Sequence, residues 1–215
     1  SPRPTLRLTF RGVLRGEWVK LRSLRSSMLT VLAAAVVMIA VGLIFAATAG
    51  TDGDGANGVT EPTGITLTGG IFAQLIVGVL GVLLVTSEYS TGMIRSTLTA
   101  VPSRLPVLVA KVGAVAAVVF PVMLAVVFVV FYGGQAIMSN NGFPSTTVGA
   151  PGVLAALLGT AATMTGVAVI GVALGALLRN TAGAISTLVA LMFLVPGIGS
   201  LVLPAPTADG VAPRV

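Results

Sequence analysis

SEYSTGMIRSTLTAVPSRLPVLVAK, residues Ser87–Lys111, is the polar, two-signed stretch that separates two long apolar runs. It is too polar to lie in hydrocarbon and too long for a tight turn. What flanks it decides the fold. Upstream, Ile65 to Ser87 carries no charge and is long enough to cross roughly 30 Å of hydrocarbon at about 1.5 Å per residue. Downstream, a second apolar run extends from about Pro106 to Tyr132, with Lys111 near its start and able to snorkel toward an interface. Two crossings joined by one polar elbow predict an all-α, polytopic membrane bundle.

Composition agrees. The chain has 215 residues, of which 55% are apolar and 8% charged, and its mean hydropathy is +1.06. A soluble domain carries about 25% charged residues, so lipid must be the main solvent here. There is no Cys and no His. That removes a disulfide framework and Cys-ligated metal, together with the commonest general base and metal ligand. No cluster of Asp or Glu falls within the apolar runs, so neither catalysis nor a metal site is expected within the spans. The net charge is +6, and Arg3, Arg7, Arg11, Arg15, Lys20, Arg22 and Arg25 all precede the first apolar run. A basic cluster can bind nucleic acid, but one that abuts a membrane span follows from positive-inside topology, so no nucleic acid is expected as a partner.

Residues 1–27 read as an interfacial helix. Arg7, Arg11 and Arg15 recur every four positions, while Leu6, Phe10, Val13, Leu14, Trp18 and Leu21 form an apolar stripe. That split suits a helix lying in the membrane plane, with Arg toward headgroups and Trp18 at the boundary. A solvated tail is the plainer alternative. Met28 to Ala47 is free of charge and gives the first span. The loop that follows holds Asp52, Asp54 and Glu61 and no base; its spacing matches no Ca²⁺ loop, so a solvated external loop is expected. In the second span, 65–87, Gly70, Gln74 and Gly78 recur every four residues. They are expected either to glue helices together or to form a substrate path or dimer seam. The third span is 106–132, with a kink expected at Pro121. A fourth, 152–178, carries Ala155, Gly159, Thr163, Gly171 and Gly175 at multiples of four, read as one small-residue face. After the polar pair Arg179–Asn180 comes a fifth span, 181–203.

Basic and non-basic loops alternate across these spans. The amino-terminal segment, the 88–111 segment and the Arg179 turn are basic; the 49–68 and 133–151 loops are not. By the positive-inside rule the amino terminus is cytoplasmic and the elbow faces the cytosol. Five spans leave the carboxyl terminus outside, and a sixth span is expected in the full protein. The whole of 1–215 reads as a single transmembrane domain.

Within the elbow, Pro102 and Pro106 halt helix propagation on either side of Arg104. Glu88 leaves the membrane at the end of the second span, where a carboxylate needs a partner or water. The run VTSEYSTGMIRSTLTAVPSR, Val85–Arg104, resembles the pattern of ABC transporter permeases of the type-2 exporter class. GEWVKLRSLRS, Gly16–Ser26, resembles the amphipathic helix that opens them. The resemblance covers most of the chain and departs from the family in the number of spans, five against the usual six. It implies a permease subunit in the cell (plasma) membrane that forms a homo- or heterodimer with a second permease and docks a separate ABC ATPase. It further implies that residues 88–105 form a cytoplasmic coupling helix, with Glu88, Tyr89, Gly92, Arg95 and Arg104 at the ATPase interface. The chain lacks the Gly-x-x-x-x-Gly-Lys-Ser/Thr loop that cradles nucleotide phosphates. ATP and Mg would be bound by the partner, with no cofactor in this chain. Two other readings are a secondary transporter or channel, and a non-transporting scaffold or immunity protein. The first of these usually places ionisable groups at mid-membrane or repeats a broken helix, and neither feature is visible. Few polar groups in the spans lean toward an amphipathic or lipophilic cargo.

Overall fold

A computed structural model describes residues 25–48, 62–90 and 104–202. Of the interfacial helix expected at 1–27, residues 1–24, with Arg7, Arg11, Arg15 and Trp18, lie outside the described residues, as do Gly92, Arg95, the acidic 49–61 loop and the carboxyl-terminal tail. The described residues form six helices and no strand. These are α1 (Arg25–Thr48), α2 (Pro62–Leu67), α3 (Gly70–Ser90), α4 (Arg104–Asn140), α5 (Val153–Leu178) and α6 (Thr181–Val202). Among the described residues four stretches are long and apolar enough to cross a membrane: Met28–Thr48, Pro62–Ser87, Leu108–Asn140 and Val153–Leu178. The last helix is apolar over the shorter run Thr181–Val195.

The bundle is organised on α3 and α5, which cross at a distance only glycine allows. A Cβ at Gly81 would collide with the Ala168 carbonyl oxygen, and one at Gly171 with that of Gly78. In lipid, helices associate through such close packing because hydrocarbon competes for apolar side chains as well as a neighbour does. Around this seam α1 and α4 add Met38, Val115, Met123, Val127 and Phe131 to the core. α6 joins through Ala184 and Leu188, packed with Val82 and Val167.

Three features depart from the expected outline. The second span is broken: α2 ends at Leu67 and α3 begins at Gly70. Thr68 N–H donates to Ile65 O (3.3 Å) and Ile71 N–H to Thr68 O (3.2 Å), three-residue bonds in place of four-residue ones. Thr66 and Thr68 hydroxyls bond back to Thr63 O (2.9 Å) and Gly64 O (3.1 Å), a pattern that bends helices, and Gly69 admits α1 at the break. A Cβ there would lie 2.5 Å from Met38 O, and one at Gly42 2.5 Å from Thr66 O.

The third span continues as helix to Asn140 rather than ending at Tyr132. Gly133 and Gly134 do not stop it because both are packed, against Leu43 and against Thr66 and Ala46. The stop is Gly142, at φ 75. Its N–H donates to Ser139 O (3.2 Å) and that of Phe143 to Met138 O (2.9 Å), the Schellman arrangement. Pro121 lies inside this helix, which is unbroken there, with its ring on the exposed side.

The small-residue stripe of α5 does not share one face. At 3.6 residues per turn, each four-residue step turns about 40°, so five steps swing roughly 200°. Ala155, Gly159 and Thr163 are exposed, whereas Gly171 and Gly175 are buried against α3.

Candidate functional site

At one end of the bundle the last turn of α3, the first turns of α4 and the α5–α6 turn come together. These are the segments that bracket the polar elbow. The backbone of Glu88 belongs to α3 and that of Arg104 opens α4; their side chains lie outside what the structure describes. Tyr89 is described: it is half-buried and packs against the main core.

The Tyr89 ring has a cationic partner that the linear sequence does not announce. The Arg179 guanidinium carbon lies 5.8 Å from the ring centroid. Arg179 terminates α5 in the left-handed region, φ 52 and ψ 16, with its N–H donating to Gly175 O at 3.1 Å. Directly after it, Asn180 caps α6: its Oδ1 accepts from Gly183 N–H at 3.0 Å, as an N-cap side chain should. Two polar residues thus close one helix and open the next. The left-handed conformation costs a residue with a Cβ about 1–2 kcal/mol, while an exposed cation–π contact returns about 0.5–1 kcal/mol. Stability alone therefore does not favour arginine at this position.

About two helical turns before Tyr89 the α3 and α5 backbones come close. A Cβ on Gly175 would stand 3.0 Å from Val82 O and 3.4 Å from the Thr86 methyl. On the α4 side, Lys111 is buried rather than snorkelling: it is 6% exposed, and its Nζ donates to Leu84 O at 3.4 Å. The lysine thus links the first turns of α4 to the last turns of α3, across the elbow. Beside it an open, wholly apolar hollow lies between Met28 and Val31 of α1, Leu80 and Leu84 of α3, and Val115 and Val119 of α4.

Gly70 and Gly78 face this chain's own helices. Gly70 meets Met164 and Thr160, and Gly78 meets Val167 and Leu188. Gln74, between them, is half-buried. Among the described residues no three His, Cys, Asp or Glu side chains group as a metal site would require. At the opposite end Gln135, 7% exposed, accepts from Thr146 N–H at 2.8 Å, and its Nε2 has no partner among the described residues.

Sequence reasoning picked out Tyr89 but treated Arg179 only as a loop charge. The available signal was positional. A two-residue polar turn between long apolar helices must end one and cap the other, and an arginine where glycine is usual invites the question of what its side chain reaches.

A family model described as an ABC-2 family transporter protein matches residues 13–198. No curated protein and no solved structure matches the chain.

Proposed function

Because the chain belongs to the ABC-2 family of transporter proteins, we propose that this permease couples to a separate ATPase through residues 88–105. The carrying observation is that both helices flanking the elbow are tied into the bundle beside it, α3 through Tyr89 to Arg179 and α4 through Lys111 to Leu84 O. α3 enters the elbow and α4 leaves it, and both are anchored just above it, so a displacement of the elbow reaches two spans at once. A ligand shifts a conformational equilibrium only through its differential affinity for the two states. Nucleotide binding to a partner ATPase supplies that difference, and a helix continuous with a span delivers it as movement.

In this reading the elbow and the amino terminus face the cytoplasm of a cell with the chain in its plasma membrane. Two permease copies flank the transport path and each docks an ATPase. Glu88, Arg95 and Arg104 hold the elbow in register and meet the partner's surface, and Gly92 lets the partner approach closely. Arg7, Arg11, Arg15 and Trp18 hold the amino-terminal segment against the headgroups. Gln74 supplies a polar group where a cargo or a second permease would be met, while Gly70 and Gly78 pack against this chain's own α5 and α6. ATP and Mg belong to the partner chain, and ATP hydrolysis is its task. Spans this poor in polar groups suit a cargo with a hydrocarbon portion.

The test is copurification followed by turnover. Affinity capture of the full chain from its native membrane should bring down an ATPase whose hydrolysis in lipid nanodiscs exceeds that of the ATPase alone. Glu88→Lys or Arg95→Glu should leave insertion intact and abolish that increment. An unchanged increment in both variants rules out the elbow as the coupling element.

A further inference from the structure

We infer that Arg179 is a positioning residue for transport: held over the Tyr89 ring by a left-handed turn, its guanidinium ties the α5–α6 turn to the end of α3, so that movement of the elbow is passed to α5 and α6. This rests on the reading of residues 88–105 as the coupling segment.

Three observations lead here. The first is backbone conformation. Among the described residues the other positive φ angles belong to Gly142 and Gly152, and Arg179 is the non-glycine case. An L-residue is disfavoured there, and what distinguishes arginine from glycine is a side chain that reaches Tyr89. The second is the lack of slack. Arg179 N–H closes α5 on Gly175 O, and Asn180 caps α6 through Gly183 N–H. The guanidinium therefore projects from a point fixed to both helices. The third is location. Gly175, the last glycine of α5, faces Val82 O and the Thr86 methyl of α3; Arg179 lies one turn beyond it, and Tyr89 about two turns beyond Val82. The Arg179–Tyr89 pair extends the α3–α5 seam past the reach of the backbones, to the residue nearest the elbow whose side chain the structure describes.

A double-mutant cycle tests this in the reconstituted permease–ATPase complex, using Arg179→Gly, Tyr89→Leu and the combination, with Arg179→Lys and Tyr89→Phe as conservative variants. Folding is followed by helical circular dichroism during heating. Each disruptive single variant should lower the permease-dependent increment in ATP hydrolysis about twofold to fivefold, the strength expected of an exposed cation–π pair. The combination should lose no more than either alone. The Lys and Phe variants should retain most of the increment. Arg179→Gly should melt no lower than the native chain, because glycine suits that backbone. Losses that multiply in the combination, or a native increment in Arg179→Gly, overturn the inference, since the pair then transmits nothing. If the unmodified permease fails to raise ATP hydrolysis at all, the coupling reading itself fails, and the distinction is visible in the control.

Discussion

Two alanines on one helix should have opposite effects. Gly171 and Gly166 both lie on α5, five residues apart. A Cβ at Gly166 meets nothing within 4 Å, whereas one at Gly171 meets the Gly78 carbonyl oxygen, with Val82 N at 3.1 Å and Gly78 C at 3.2 Å. All three neighbours are backbone atoms of α3, so no side chain can rotate away and the helices must separate. Overpacking of this kind costs about 1–3 kcal/mol. Against it stands the general gain of about 0.5–1 kcal/mol when alanine replaces glycine inside a helix. Gly166→Ala should therefore be neutral or stabilising by up to about 1 kcal/mol, and Gly171→Ala destabilising by up to about 2.5 kcal/mol. Gly81→Ala, facing the Ala168 carbonyl from the other side of the seam, should match Gly171→Ala. The assay is reversible unfolding of the purified chain in mixed micelles, followed by circular dichroism as the fraction of denaturing detergent rises. If Gly171→Ala and Gly166→Ala unfold at the same detergent fraction, α3 and α5 do not cross at backbone contact and the architecture described above is wrong.

Two further substitutions probe the turns. Asn180→Ala should cost about 1 kcal/mol, with Asn180→Ser recovering most of it; equal midpoints for the two variants in the same unfolding assay would deny the cap at Gly183. At Gly142, where the backbone is left-handed and no atom lies within 4 Å of an added Cβ, alanine should cost about 1 kcal/mol through conformation alone. Asparagine should cost less there, and no loss with Gly142→Val would contradict the left-handed turn.

The spans were legible because twenty uncharged residues have few other uses. Where each span faces was less legible. In water an apolar stripe marks the buried side, but here both sides are apolar: Leu29, Leu177 and Phe193 are exposed, and Ala34, Ala73 and Ala168 are buried. Size does not mark the inward side either, since Met38, Met123 and Phe131 are buried and Ala155, Gly159 and Thr163 are exposed. A spacing of four misreads it on α5, since the drift per step is small locally and large over the helix. The break at Thr68–Gly69 was hidden for a related reason: hydropathy runs through it unchanged, and the bend arises from threonine hydroxyls and from the approach of α1, a partner distant in sequence. Tyr89 and Lys111 bracket the elbow as expected, but Lys111 is buried because Leu84 O offers its ammonium an acceptor inside the bundle. The contact between Tyr89 and Arg179 spans ninety residues of chain, which no local pattern encodes.

The interrupted second crossing has a mechanical corollary. An unbroken helix behaves as a stiff shaft, twisting at one tip when turned at the other. With three-residue bonds at Thr68 and Ile71, torsion applied at the Tyr89 tip has a compliant joint to dissipate in before it arrives at α2. α2 is meanwhile clasped by α1 at Gly42 and by α4 at Gly134. Bending of the second crossing is therefore concentrated at Thr68–Gly69, between an α2 held by α1 and α4 and an α3 held by α5.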